Sequence, residues 1–142
     1  MEKQEIDYIK QFLKRRLPNS HKGNFGHALL IAGSEQKMGA AVIAAKACLR
    51  SGCGLLTVSI PKEERSSIFT SIPEAMLDFR EAQIDFSKYN SLAIGPGLEQ
   101  DAAAQKLLYS TLLKTKYPIV IDADALNILA KNQDWLVQLP KK

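Results

Sequence analysis

Two carboxylates and one amide lie within a run of six residues near the end of the chain, Asp122-Ala123-Asp124-Ala125-Leu126-Asn127. The run follows the short apolar stretch from Pro118 to Ile121. Carboxylate oxygens at the end of a strand can bind a substrate hydroxyl or hold a magnesium ion through water. Capping of the next helix by Asp124 would explain one of the two acids. Since two acids and an amide exceed what a cap needs, the pattern favours a ligand site that includes Asp124 and Asn127.

Two glycine-containing loops also follow apolar stretches. Gly39-Ala40 ends a loop that begins at Gly33, and Gly95-Pro96-Gly97 precedes a helical pattern. Backbone amides at the start of a helix can hold an anion. The first loop is not a P-loop, because Lys37 precedes Met38 rather than Ser or Thr, and the second lacks the last glycine of a dinucleotide fingerprint. An anion site and an ordinary turn therefore both remain open for the first loop, and the second is a weak signal alone.

A third segment, His21-Lys22-Gly23-Asn24-Phe25-Gly26, precedes the first apolar stretch. The cation of Lys22, the glycines and the aromatic ring suit a clamp on a phosphate or on a flat ring. A loop that enters a sheet also needs glycines for structural reasons, so both interpretations stay open. His21 and His27 have no recognisable nucleophile or carboxylate partner, and neither is predicted to be a catalytic base.

The spacing of apolar residues predicts alternating strands and helices. The predicted strands are His27 to Ala32, Leu55 to Ile60, Ala75 to Phe79, Ser91 to Ile94 and Pro118 to Ile121. The predicted helices are Ile6 to Leu17, Met38 to Arg50, Glu63 to Thr70 and Asp101 to Lys114. This alternation indicates a three-layer α/β fold with a mostly parallel sheet and flanking helices. In that architecture ligands bind beyond the carboxyl ends of the strands.

Composition and charge narrow the class of function. The chain has 142 residues, of which 46% are hydrophobic and 24% are charged, as in a single globular domain. A net charge of +4 without a basic run predicts no nucleic-acid partner. The apolar stretches are too short to cross a bilayer and the N-terminus is charged, so we expect no membrane association and a cytoplasmic location. Cys48 and Cys53 lack zinc-ligand spacing, and we assign no metal ligands.

Taken together, the motifs resemble those of the ADP- or ATP-dependent NAD(P)H-hydrate dehydratases, which have a ribokinase-like fold. The matching segments follow one another along nearly the whole chain beyond the first helix. They are His21-Lys22-Gly23 with Gly26, Ala32-Gly33-Ser34, Gly39-Ala40-Ala41, Leu49-Arg50-Ser51-Gly52-Cys53-Gly54-Leu55, Pro73-Glu74, Ile94-Gly95-Pro96-Gly97-Leu98 and Asp122-Ala123-Asp124-Ala125-Leu126-Asn127.

The resemblance implies a lyase that repairs hydrated NADH or NADPH. In this reaction a nucleotide phosphorylates the hydroxyl of the hydrated nicotinamide ring, and elimination of the phosphate restores the ring. The implied cofactors are ADP or ATP and Mg²⁺. The resemblance also implies that the loops at Gly39-Ala40 and at Gly95 and Gly97 contact the hydrated dinucleotide, with Asp124 near the same pocket. We add Lys22 and Asn127 to the predicted substrate-binding residues on the patterns described above.

One position departs from the family. Gly-Pro-Gly-Leu is usually followed by another glycine, whereas this chain has Glu99. A side chain at Glu99 can crowd or reshape the turn while leaving Gly95 and Gly97 in place.

The family's domain is longer than this chain, and its second half carries a Pro-His segment, most of the nucleotide site and a Gly-Thr-Gly-Asp motif whose aspartate is the base. None of these occurs here. We therefore expect residues 1–142 to be the N-terminal portion of a single, truncated ribokinase-like domain, inactive alone, with the catalytic base beyond Lys142. The stretch from Leu136 to Leu139 is expected to approach another strand.

Exposure of an apolar sheet edge in a truncated domain predicts self-association, and a homo-oligomer is expected. Two other functions stay open. One is a non-catalytic dinucleotide-binding module, and the other is a small-molecule kinase of the same fold.

Overall fold

A computed structural model describes residues 8, 10, 16–80 and 83–140 of the chain. The helix predicted from Ile6 to Leu17 therefore lies largely outside the described residues. Within the described ranges, no helix is both long and apolar enough to cross a membrane.

Strands and helices alternate along the described chain. The strands are β1 (His27–Ile31), β2 (Leu55–Ile60), β3 (Met76–Phe79), β4 (Ser91–Ile94) and β5 (Ile119–Ile121). The α-helices are α1 (Met38–Arg50), α2 (Arg65–Ser71), α3 (Ala102–Lys114) and α4 (Ala123–Lys131). Short 3₁₀ helices occupy Lys22–Phe25, Lys62–Glu64, Phe86–Lys88 and Gln133–Gln138. The five predicted strands are confirmed to within one residue at each end.

Local sequence explains where the helices begin and end. Asp101 precedes α3, and its carboxylate accepts a hydrogen bond from the backbone N–H of Ala104 at 2.8 Å, which satisfies one of the free amides of the first turn. Helix α1 is rich in alanine, which favours the helical conformation, and the chain turns after it at Gly52, where φ is 100°.

All five strands pair in parallel, in the order β3-β2-β1-β4-β5. The chain first adds strands on one side of β1 and then returns to its other side with β4. The strand order therefore reverses between β1 and β4, and this is the point at which open parallel sheets form a crevice for ligands. The loops that leave these two strands flank that crevice.

Helices cover both faces of the sheet and enclose two apolar clusters. On one face, α3 and α4 contribute Leu108, Leu112 and Ile128 to a cluster with Leu29 of β1. On the other face, α1 and α2 contribute Ala41, Ala45 and Ile68, which pack with Leu30 of β1 and with β2. Adjacent residues of β1 face opposite clusters because side chains alternate along a strand. The predicted three-layer α/β fold is confirmed.

Leu136 to Leu139, expected to approach another strand, belong to the 3₁₀ helix Gln133–Gln138 and the residue that ends it. A strand after this stretch would lie outside the described residues, so that expectation stays a prediction. Trp135 and Leu139 pack against the cluster beneath α3 and α4, and the Trp135 ring lies 4.8 Å from that of Tyr109. These apolar contacts hold the 3₁₀ helix against the cluster.

Strand β5 lies at one edge of the described sheet. Ile119 and Ile121 face the cluster beneath α3 and α4, whereas Val120 faces the other way and is 64% exposed. A strand edge next to an exposed valine is a template for pairing with a second copy of the chain.

We predict that Val120→Lys reduces self-association at high protein concentration, because a charge beside a strand edge opposes pairing. Sedimentation velocity over a concentration series measures the effect. Val137→Lys is the matched control, since Val137 is 75% exposed but lies in a 3₁₀ helix rather than in a strand. A wild-type chain that stays monomeric throughout the series would contradict the prediction.

Candidate functional site

The loops that leave β1 and β4 contact each other at the carboxyl ends of the strands. The backbone N–H of Gly33 donates to the carbonyl of Pro96 at 2.8 Å, and that of Gly95 donates to the carbonyl of Ile31 at 3.1 Å. These bonds extend the pairing of β1 with β4 into the two loops. The start of α1 and the Gly95-Pro96-Gly97 turn are therefore held side by side.

Gly97 and Gly95 are required by this close approach. At Gly97 φ is 66°, and a Cβ atom there would lie 2.7 Å from the Lys37 carbonyl oxygen and 3.0 Å from the Ala40 Cβ. At Gly95 φ is 133°, and a Cβ atom would overlap the carbonyl oxygen of Asp122. Glycine alone accepts both the positive φ and the missing space. Gly95 thus brings the start of α4 against the end of β4.

Asp124 joins three parts of the site. Its carboxylate accepts hydrogen bonds from the backbone N–H of Glu99 at 3.0 Å and from Gln100 Nε2 at 3.2 Å. The ammonium group of Lys37 lies 3.4 Å from its Oδ2 atom. Asp124 therefore connects α4 to the loops after β1 and β4. It does not act as the helix cap that the sequence left open, because Asp122 occupies the N-cap position of α4.

These contacts set the charge of Asp124. Burial of the side chain, which is 13% exposed, acts to raise its pKa. The hydrogen bonds from Gln100 and from the Glu99 backbone, together with the Lys37 charge, outweigh burial and hold the pKa of Asp124 below its ordinary value. Asp124 is therefore a carboxylate at neutral pH and a weak proton acceptor.

Lys37, Glu99 and Ser34 complete the cluster beside Asp124. Lys37 Nζ lies 3.0 Å from Glu99 Oε2, and the Ser34 hydroxyl donates to Glu99 Oε1 at 3.1 Å. The hydrogen bond with Glu99 raises the pKa of Lys37, and the charge of Asp124 adds to this effect. We name Ser34, Lys37, Glu99 and Asp124 the loop cluster.

Six of the seven predicted substrate-binding residues lie at this edge of the sheet. They are Gly39, Ala40, Gly95, Gly97, Asp124 and Asn127. Gly39 is exposed, and a Cβ atom added there would meet nothing within 4 Å among the described residues. Asn127 is exposed one turn along α4 from Asp124.

The structure does not bring Lys22 to this cluster. Lys22 begins the 3₁₀ helix before β1, and its carbonyl group lies against Gly54, which precedes β2. Both positions are at the amino ends of the parallel strands, which is the opposite edge of the sheet. His27 also lies at that edge, where its Nε2 atom is 2.8 Å from the Thr57 hydroxyl.

A cleft of about 1000 Å³ opens next to the loop cluster, between the loop after β4 and helix α3. Ser34, Glu99 and Gln100 border the cleft, and Leu107 and Ser110 of α3 form part of its wall. None of the seven predicted residues is part of this lining. Sequence reasoning therefore missed the polar side chains that connect the glycine loops to the cleft. Only the departure at Glu99 signalled one of them.

No three His, Cys, Asp or Glu side chains come together in a way that could hold a metal ion, within the part of the chain that the structure describes.

Residues 28–142 match a family described as NAD(P)H-hydrate dehydratase. The chain is 36% identical over 129 residues to the ADP-dependent (S)-NAD(P)H-hydrate dehydratase of Listeria monocytogenes, covering 87% of this chain and 47% of that protein. It is 37% identical over 141 residues to the Streptococcus thermophilus protein of the same name, covering 94% of this chain and 51% of that one. The chain spans about half the length of the curated relatives it matches.

Solved structures show the same fold. A ribokinase-like superfamily protein from Enterococcus faecalis superposes with a TM-score of 0.79 at 31% identity, covering 85% of this chain and 45% of that one. The ADP/ATP-dependent NAD(P)H-hydrate dehydratase from Bacillus subtilis, co-crystallised with ATP and Mg²⁺, superposes with a TM-score of 0.75 at 34% identity. The match covers 84% of this chain and 45% of that one. The predicted ribokinase-like fold is confirmed.

The two site glycines at positions 39 and 95 should respond differently to the same substitution. We expect Gly95→Ala to lower the free energy of unfolding by about 3 kcal/mol or more, because the methyl group overlaps backbone and φ is positive. Gly39→Ala should be neutral or stabilising by up to about 1 kcal/mol, because alanine favours helix. Urea unfolding measures both. Equal effects of the two substitutions would contradict the assigned backbone geometry.

Asp124 should give the fold a pH-dependent stability. Because the folded pKa lies below the ordinary value of 3.8, this stabilisation is complete above that value and is lost as the pH falls through the folded pKa. Asp124→Asn should lower the free energy of unfolding at pH 7 by about 1–2 kcal/mol. The free energy of unfolding of this variant should also decrease less between pH 7 and pH 3 than that of wild type.

Asp122→Asn is the matched control for Asp124→Asn. The Asp122 side chain makes no cap hydrogen bond and is exposed, so its substitution should stay within about 0.5 kcal/mol of wild type. Urea unfolding at both pH values compares the three proteins. The same pH dependence in all three would show that Asp124 is not held as described.

Proposed function

The chain belongs to the NAD(P)H-hydrate dehydratase family, and we propose that it takes part in the nucleotide-dependent dehydration of hydrated NADH and NADPH. In this proposal the loops after β1 and β4 bind the hydrated dinucleotide. The names of the similar proteins support the reaction, and they support ADP or ATP with Mg²⁺ as its cofactors. The full reaction remains part of the proposal because the chain spans about half of those relatives.

The observation that carries the proposal is the open approach to Gly39. Apart from its chain neighbours and the backbone of its own helix, no described atom lies within 4 Å of where a Cβ atom of Gly39 would stand, and the ammonium group of Lys37 belongs to the preceding turn. The first-turn amides of α1 that precede Ala40, whose own N–H donates to the Lys37 carbonyl, together with a nearby cation suit a phosphate group. Gly97 keeps the neighbouring turn close to α1 at Ala40, so a ligand that extends from Gly39 to Ala40 would reach the loop after β4.

The side chains present favour binding and orientation over proton transfer. A bound nucleotide would supply the phosphoryl group that makes the substrate hydroxyl a leaving group. Asp124 holds the two loops together as a carboxylate with a lowered pKa, which makes it a poor general base at neutral pH. Asn127, one turn along α4, can donate and accept hydrogen bonds with a substrate hydroxyl or amide. We therefore propose that the 142-residue chain binds hydrated dinucleotide but does not convert it alone.

A binding experiment tests the assignment of the site. We predict that the 142-residue chain binds hydrated NADPH in isothermal titration calorimetry and that Gly39→Ala weakens binding by about tenfold or more, because a methyl group would occupy the approach to the helix amides. Ala47→Ser, at an exposed position of the same helix, should bind as wild type does. Equal affinity of the glycine variant and wild type would remove α1 from the site.

A turnover assay on the same preparation tests the proposed division of roles. Hydrated NADPH, Mg²⁺ and either ADP or ATP are added, and recovery of NADPH is followed at its absorbance band. Binding without recovery supports the proposal. Nucleotide-dependent recovery would show that the chain carries its own catalytic base.

A further inference from the structure

Glu99 adopts a backbone conformation that side chains rarely take. Its φ is 70°, which is the left-handed region that glycine occupies without strain, and glycine is the residue expected at this position from the family resemblance. The turn itself is intact, since the backbone N–H of Leu98 donates to the Gly95 carbonyl at 3.0 Å. The chain therefore accepts a strained backbone and places a carboxylate at this point of the turn.

The carboxylate of Glu99 spans the two loops of the site. It accepts a hydrogen bond from the Ser34 hydroxyl at 3.1 Å with one oxygen and pairs with Lys37 Nζ at 3.0 Å with the other. Ser34 and Lys37 are the hydroxyl and the cation of the loop that leads to Gly39. Both are donors of the kind that bind phosphate. Glu99 thus holds groups that an anionic ligand at Gly39 would need.

The contact of Glu99 with Lys37 can be exchanged. The Lys37 and Glu99 side chains are 45% and 37% exposed, and ion pairs in contact with water contribute little to stability. Asp124 differs, because its side chain is 13% exposed and it accepts two further hydrogen bonds. An incoming anion would displace Glu99 more readily than Asp124.

We propose that Glu99 is an affinity-determining residue that competes with the ligand's phosphate for Lys37 and Ser34. In the free chain the Glu99 carboxylate occupies both donors. When a phosphate binds at the start of α1, it takes the two donors and Glu99 turns towards water. The inference rests on the proposed function, because it assumes that this edge of the sheet receives a phosphate from the hydrated dinucleotide or from the adenine nucleotide.

Inorganic pyrophosphate is the probe for the shared phosphate chemistry. Glu99→Gln keeps the size of the side chain and leaves the backbone N–H that bonds Asp124, so the turn should persist. We expect this variant to bind pyrophosphate about fivefold more tightly than wild type in isothermal titration calorimetry, because pyrophosphate no longer has to displace an exposed ion pair. The amide of Gln could retain the contacts of Glu99 and so hide the gain. Glu99→Gly is therefore the second variant, and it should show the same gain in affinity because it has no side chain.

Glu35→Gln is the matched control, since Glu35 is an exposed acid of the same loop. It removes the same charge from the neighbourhood and should change pyrophosphate affinity less than twofold. Lys37→Gln should abolish the gain caused by Glu99→Gln. The proposal is overturned if neither Glu99 variant binds more tightly than Glu35→Gln, or if the gain persists without Lys37.

A readout that needs no ligand separates this inference from the proposed function. The rate of Lys37 acylation by an amine-reactive reagent, followed by mass spectrometry, should rise in Glu99→Gln, because Glu99 raises the pKa of Lys37. It should stay at the wild-type value in Glu35→Gln. An unchanged rate in Glu99→Gln would count against the contact on which the proposal depends.

Titration with hydrated NADPH and with ADP then identifies the source of the phosphate. A gain in affinity of Glu99→Gln for either ligand assigns the donors to that ligand. If wild type binds neither but the pyrophosphate gain is present, the proposed function fails and the role of Glu99 stands. If wild type binds hydrated NADPH and the Glu99 variants gain nothing for any anion, the role of Glu99 fails and the proposed function stands.

Discussion

The close backbone approach between the loops after β1 and β4 is the constraint on which the candidate site depends. It is fixed by the 2.8 Å hydrogen bond from Gly33 to Pro96 and by two glycines that leave no room for a Cβ atom, Gly95 and Gly97. The strand order reverses between β1 and β4, so their helices leave towards opposite faces of the sheet. That divergence opens the crevice, and the glycines bring the start of α1 and the start of α4 to its two sides.

The charges of the site follow from this backbone arrangement. Once the two loops and α4 meet, Asp124 of α4 reaches an amide and a side-chain donor of the loop after β4 and the ammonium group of the loop after β1. An acid held in this way keeps its charge and attracts the Lys37 ammonium group. Glu99 uses the same ammonium group from a more exposed position. In the loop cluster a half-buried acid, Asp124, and a more exposed acid, Glu99, therefore share the Lys37 cation.

The sequence predicted the elements well because their signals are local. The strand ending at Ile94 and the helix from Met38 to Arg50 have the bounds expected from apolar spacing. The partners of Asp124 could not be predicted, since they depend on contacts between loops 24 to 87 residues apart. Lys22 was grouped with the site by residue type, but strand direction places it at the opposite edge.

The central claim is that ligand binds at the carboxyl ends of β1 and β4. Amide chemical shifts of the isotopically labelled 142-residue chain, titrated with hydrated NADPH, test it most directly. We expect the largest saturable shifts at Gly39, Ala40 and Gly97, with little change at Gly23 and Gly54 on the opposite edge. Shifts confined to that opposite edge, or no saturable shifts at all, would contradict it.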